Sequence, residues 1–237
     1  MQQLTLNKQT FASFLDANSK INDAFILKLQ KPIYAISVSE DNTLFLYSKY
    51  VTDTDILSRL NIPDCRKLAR AIDSINETEI TLQIHPNHLY YQGNGIKFKY
   101  HLLEDGILSE PPLNTEKIEA FRFNYNIDIS KSTFASLIKC SSFATTTNKI
   151  YFYTENNNFY VELTDKTIKN TDSITTCIKE NVDFNIEPLA VNFDNLRLIN
   201  VISDTISLSF NTQYGIIMLS SETEDIKLNY ILTTLIN

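Results

Sequence analysis

The 237-residue sequence is poor in the residues that nucleotide cradles, cross-linked scaffolds and metal centres are built from. Its four glycines form neither GxGxxG nor GxxxxGK[ST], and Gly93-Asn94-Gly95 reads as a tight turn, which excludes a glycine-rich phosphate loop. The three cysteines, Cys65, Cys140 and Cys177, are odd in number and scattered without a CxxC, so neither a disulfide framework nor a zinc site is indicated. They are expected reduced and partly buried. Histidine is equally sparse: His85 and His88 flank a predicted turn at Pro86-Asn87, His101 stands apart, and no acidic or cysteine partner recurs beside them, so no metal is expected. No Ser/His/Asp order with elbow glycines is present and no cysteine neighbours a histidine in sequence, so the expectation is no catalytic residue, no cofactor and no enzyme activity. No apolar run approaches the roughly 18 residues that span a bilayer. The start, MQQLTLNKQT, lacks the basic-then-apolar layout of a secretory signal. A membrane partner is therefore not expected, and a cytoplasmic location is.

What the sequence does contain is itself, twice. KQTFASFLDANS begins at Lys8 and KSTFASLIKCSS at Lys131, matching at six of twelve positions across a shift of 123. DCRKLARAI (64–72) recurs as DNLRLINVI (194–202), and EITLQI (79–84) as TISLSF (205–210), with shifts of 130 and 126. Three anchors with similar shifts imply a duplicated unit. The expected units are residues 1–104 and 119–237, joined by a connector at 105–118 whose single glycine and two prolines read as extended chain.

Within each copy the order is strand, helix, several strands, helix, several strands. Phe11, Phe14, Leu15 and Asn18 fall at i, i+3, i+4 and i+7, as do Phe134, Leu137, Ile138 and Ser141, which predicts one buried helical stripe in each copy. A second helix is predicted at 63–75, with Pro63 in its first turn, and its counterpart at 192–203. AFILKLQ, PIYAISVS, TLFLYSKY and the meander EITLQI, HLYYQ, IKFKYHLL read as strands of the first copy. AFRFNYNIDI, KIYFYT, FYVELT, DSITTCIKE, TISLSF, GIIMLS and DIKLNYILTTL read as strands of the second. The 12 tyrosines and 14 phenylalanines mostly alternate within such strands, which reads as sheet packing. The fold class expected is α+β, two tandem similar units of antiparallel sheets with two helices each.

The formal charge is −7, which taken alone argues against a nucleic-acid partner. Its distribution is uneven. The four predicted helices, taken as 7–20, 63–75, 131–143 and 192–203, hold eight basic and four acidic residues, leaving −11 for the rest of the chain. With the apolar stripes inward, the outward faces carry Gln9, Ser13, Asp16 and Lys20; Arg66, Lys67, Arg70 and Ser74; Lys131, Ser132, Ser136 and Lys139; Arg197 and Asn200. Counting alone leaves two readings open, a surface for a polyanion and helices solvated by Lys and Arg for solubility.

The duplicated order in a two-unit chain of this length resembles the DNA sliding clamps of the proliferating-cell-nuclear-antigen type, including those of tailed bacteriophages. LNIPDCRKLARAIDSINETEITLQI, NIEPLAVNFDNLRLINVISDTISLSF and DIKLNYILTTLIN carry the likeness, which spans essentially the whole chain. The resemblance implies three chains closing into a ring of six units, with the helices lining the hole. Lys20, Lys67, Arg70, Lys139 and Arg197 would then face the phosphates of double-stranded DNA without reading its sequence, with Lys8, Arg66 and Lys131 at the edges and Asp16 and Asp194 departing from a basic lining. It also implies a polymerase tethered through a peptide pocket, for which Leu103, Ile107, Leu108, Tyr230 and Leu232 are the candidates, and an ATP-dependent clamp loader. IKFKYHLL and DSITTCIKE would pair between neighbouring chains, and the terminal strand would pair within the chain. The implied function is a processivity factor acting in the cytoplasm, the host's if the source is viral. The alternative is a β-rich ring-forming structural protein, such as a phage tail or baseplate component.

Overall fold

A computed structural model describes residues 2–52, 56, 58–142 and 147–235. The chain runs β1 (Gln2–Asn7), α1 (Lys8–Ile21), β2 (Phe25–Lys28), β3 (Ile33–Val38), β4 (Leu44–Tyr50), β5 (Arg59–Ile62), α2 (Cys65–Asp73), β6 (Glu79–His85), β7 (His88–Gly93) and β8 (Ile96–His101). After a short helix α3 (Thr115–Ala120) the same order returns: β9 (Tyr125–Ser130), α4 (Lys131–Lys139), β10 (Lys149–Glu155), β11 (Asn158–Leu163), β12 (Ile174–Lys179), β13 (Leu189–Asn192), α5 (Phe193–Arg197), β14 (Thr205–Asn211), β15 (Ile216–Glu222) and β16 (Ile226–Thr233). The fold is α+β with antiparallel sheets, as the sequence pattern predicts.

The duplication extends to pairing. Strand order β5-β2-β3-β4 in the first copy becomes β13-β10-β11-β12 in the second, and β1-β6-β7-β8 becomes β9-β14-β15-β16. It extends to single hydrogen bonds. The Asn7 side chain caps α1 by accepting from Thr10 N–H, and 123 residues on the Ser130 side chain caps α4 by accepting from Thr133 N–H, both at 3.0 Å. Each such cap stabilises its helix by about 1 kcal/mol. Ser13 Oγ donates to the Gln9 carbonyl and Ser136 Oγ to that of Ser132. Lys8 N–H donates to Thr78 O and Lys131 N–H to Asp204 O, both at 2.8 Å, so the helix start is tied to the end of the second-helix segment in both copies.

Two compact units result. The first comprises residues 1–119 and 222–229, and so takes in the connector and the start of β16; the second comprises 120–221 and 230–237. In the first, Phe11, Phe14 and Leu15 of α1 and Leu68 and Ile72 of α2 are buried together with the inward-facing residues of the strands. Val51 N–H donates to Asp225 O at 2.8 Å where β16 follows β4 in strand order. In the second, Phe134 and Leu137 of α4 are buried, and Phe152, Phe159 and Phe210 form a ring cluster with centroids 5.5–6.3 Å apart. Each such side chain contributes about 1.5–3 kcal/mol on leaving water.

Several elements differ from expectation. The helix predicted at 63–75 spans Cys65–Asp73, because Asp64 rather than Pro63 sets its start: the Asp64 carboxylate accepts from Lys67 N–H at 2.8 Å. Its counterpart is only Phe193–Arg197, since Asn195, Asn200 and the β-branched Ile199 and Val201 favour leaving the helix. Of the helix predicted at 131–143, Phe143 lies outside the described residues. The connector holds α3, where Asn114 Oδ1 accepts from Lys117 N–H at 2.9 Å. Strand β1 is the opening strand of the expected order, whereas β5 and β13, at four residues each, are too short to show an alternation. Of the cysteines, only Cys65 is buried, donating its thiol to Leu15 O at 3.1 Å with burial holding its pKa well up; Cys140 is half-buried and Cys177 exposed.

Candidate functional site

The residues of the outward helix faces are exposed, apart from half-buried Ser13 and Asn200. Lys67 and Arg70 stand one turn apart on α2, and Lys131 and Lys139 at the two ends of α4; all four are exposed, and among the described residues none of them forms an ion pair. They are the free cations of the predicted set.

The other four are engaged. Lys20 reaches Asp16 at 3.4 Å on the same face of α1, and Arg197 reaches Asp194 at 2.6 Å while lying over the Phe193 ring. The two acidic residues that broke the predicted basic row thus neutralise its nearest members. Arg66 bonds Asp23 at 2.9 Å and donates to Ser19 O, joining α2 to the end of α1. Lys8, half-buried, donates to the Ile75 carbonyl at 2.8 Å and serves the first unit's structure. Exposed pairs of this kind are worth at most about 1 kcal/mol, so an incoming phosphate competes with them at little cost.

A trough of about 320 Å³ lies in the first unit between the β2–β3 surface and the connector, lined by Ile26, Lys28, Tyr34, Ile36, Pro111 and Leu113 among others. A second lobe of about 310 Å³ continues past Phe25, Val38 and Leu108. Burial and the nearby Glu110 carboxylate raise the Tyr34 pKa, keeping its hydroxyl protonated. Of the residues predicted for a peptide pocket, Leu108 borders this surface and Ile107 is well exposed on the connector, whereas Leu103 is held by backbone bonding to Asn61. Tyr230 and Leu232 do not line it. Both have 0% exposure, and the Tyr230 hydroxyl accepts from Asn200 N–H at 2.9 Å. Alternation made them interchangeable with surface residues, but strand β16 is buried on both faces. The lining residues Ile26, Tyr34 and Ile36 were legible only as strand residues, because nothing local says that the connector returns over them.

The three histidines form a row across adjacent strands. His85 pairs with His88 and His88 with His101 in register, and the first two rings stack at 4.3 Å. Among the described residues no group of three or more His, Cys, Asp or Glu is placed to hold a metal ion, and no helix is long and apolar enough to cross a membrane.

The duplicated fold, with its two helix-bearing sheet pairs, is that of the DNA sliding clamps. Over 100% of its length the chain matches a chain in the structure of the C-terminal region of FEN-1 bound to A. fulgidus PCNA, with a TM-score of 0.78, 14% identity and 99% of that chain covered. PCNA from Thermococcus kodakaraensis matches with a TM-score of 0.73 at 10% identity, covering 98% of this chain and 99% of that one. The DNA polymerase III beta subunit from Thermotoga maritima matches at 0.69 and 10% identity, this chain spanning 65% of its length. No protein-family profile and no curated protein sequence matches the chain.

Proposed function

We propose that the protein is a DNA sliding clamp: a homotrimeric ring around duplex DNA that tethers a replicative polymerase and is opened by an ATP-driven loader. The observation that carries this reading is the pairing of a sliding-clamp fold over the full chain with exposed cations that form no ion pair among the described residues, Lys67 and Arg70 on α2 of the first unit and Lys131 and Lys139 on α4 of the second. In a protein of net charge −7, such faces attract phosphate while the remaining surface repels it. Contacts to phosphate carry no base information, so the ring would move along DNA without a sequence-specific minimum to trap it. The trough beneath the connector, floored by Ile26 and Ile36, supplies the docking place for polymerase, and FEN-1 in the A. fulgidus structure is a partner of the kind expected.

Edge strands support self-assembly. By the repeat, β12 is the counterpart of β4 and β8 that of β16; β4 is followed by β16 in strand order, but β8 and β12 are each outermost in their sheets. A neighbouring copy would supply to each what the repeat supplies once within the chain.

The test is topological. Loaded on a closed circular duplex the protein should stay bound, and should be lost on linearisation; Lys67→Glu with Arg70→Glu should cut retention on the order of tenfold while leaving the assembly mass unchanged. Equal retention on linear and circular DNA would overturn the proposal, and loss of the assembly in the double variant would move those residues to a subunit contact.

A further inference from the structure

Lys28 and Arg59 are direct cross-strand partners on β2 and β5. Like charges placed opposite one another destabilise a sheet unless an anion lies between them. Here one does. A single carboxylate oxygen, Glu110 Oε1 of the connector, accepts from Lys28 Nζ at 3.0 Å and Arg59 Nη1 at 2.9 Å. The rest of the Arg59 fork is fixed from the side: Nε and Nη2 donate to Asn61 Oδ1, and Asp105 lies 3.3 Å from Nε. Asn61 is in turn anchored to Leu103 O and Asp105. The two cations are mostly covered, with side-chain exposures of 28% and 32%, whereas Glu110 is 54% exposed on a connector without strand pairing. The covered part of this site is therefore the two cations, and of the two connector carboxylates that reach them only Glu110 touches both. Lys28, Glu110 and Pro111 also line the apolar trough floored by Ile26 and Ile36.

We infer that the Lys28–Arg59 pair is a carboxylate-recognition site at the end of the trough, that Glu110 is its internal occupant, and that the preferred partner is a peptide segment whose apolar side chain enters the trough and whose Asp or Glu displaces Glu110. This rests on reading the trough as a peptide-docking place, and adds to it the partner's charge and a built-in competitor. While Glu110 holds the site, only the fraction of molecules with the connector released binds with full affinity.

A random-peptide phage library panned on the full-length protein tests both levels. Enrichment of apolar sequences containing an acidic residue is expected. A synthetic copy of the leading peptide should then bind Glu110→Gln about 3- to 10-fold tighter than wild type by fluorescence anisotropy, the size of one or two exposed ion pairs. Its acid-to-amide twin should bind wild type more weakly than the acidic peptide, and the two should be indistinguishable on Lys28→Gln and on Arg59→Gln, with thermal unfolding confirming that both variants are folded. Apolar enrichment without acidic bias, or an acidic preference that survives both Lys28→Gln and Arg59→Gln, overturns the inference and leaves the docking trough standing. Absence of any apolar enrichment overturns both.

Discussion

Asn18 occupies the fourth position of the α1 apolar stripe and is fully buried, yet none of its polar atoms lacks a partner. Its Nδ2 donates to Phe14 O at 2.8 Å and to Ser48 Oγ at 2.9 Å, and its Oδ1 accepts from Ser37 Oγ at 2.8 Å. The side chain thus pins α1 to β3 and β4 at one depth and one rotation, which an apolar residue in the same stripe does not do. Truncation leaves two buried serine hydroxyls short of partners, so Asn18→Ala should lower the unfolding free energy by about 2–3 kcal/mol in a urea titration. A loss below about 0.5 kcal/mol, the range of ordinary surface substitutions, would mean that water replaces the amide there. At this scale the sequence was only half legible. Period placed Asn18 on the inward face, but Ser37 and Ser48 are far from it in sequence, and the network exists only after the sheet forms. The partners of Lys8 and Arg66 are illegible for the same reason, since the carbonyls and the carboxylate that engage them come from other turns of the chain.

At the scale of elements, the strongest periodic signals became structure with shifted ends. The two copies of the first helix and the meander strands stand where alternation put them, because each buries one whole face. The helix at α5 shrank to five residues and α3 rose inside a supposedly extended connector, since caps and local propensity there outweigh any stripe. The histidine row is an element-scale feature that no local motif announced, being made by the register of β6, β7 and β8. Desolvation, with Lys99, His85 and His101 all facing it, lowers the His88 pKa from 6.5; Lys97 over the Tyr90 ring adds positive charge on that strand pair. The unfolded chain therefore takes up a proton before the folded one does. Stability from the neutral imidazole is fully present above about pH 6.5 and is lost as pH falls through the lowered folded value. His88→Gln should flatten the slope of unfolding free energy between pH 7 and pH 5, read by chemical denaturation at each pH. An unchanged slope would assign the acid sensitivity to other groups.

For the whole molecule the informative feature is an asymmetry between two otherwise matching halves. Strands β1 and β9, and likewise β5 and β13, are outermost in both copies and so belong to the design of the unit, while β8 and β12 are outermost although their counterparts β16 and β4 are neighbours in one sheet. The β8 edge with half-buried Ile96 and Phe98, and the β12 edge with half-buried Ile174 and Ile178, are of the kind that invites pairing with another chain unless covered or charged. Pairing β8 of one chain with β12 of the next would be heterologous, giving a ring where the rotation closes and a filament where it does not; the proposed function requires the ring. A closed trimer has three times the 27.2 kDa of the chain, and light scattering should return that mass. A lysine pointing inward on an edge strand blocks pairing without unfolding the sheet it borders. Ile178→Lys and Ile96→Lys should therefore each give folded monomers of 27.2 kDa with unchanged far-ultraviolet circular dichroism. Mixing them separates this geometry from any other: the first retains an intact β8 and the second an intact β12, so the mixture should form a dimer that cannot close. Two blocked variants that stay monomeric when mixed, or a wild type that remains at 27.2 kDa at micromolar concentration, would show that these edges do not meet.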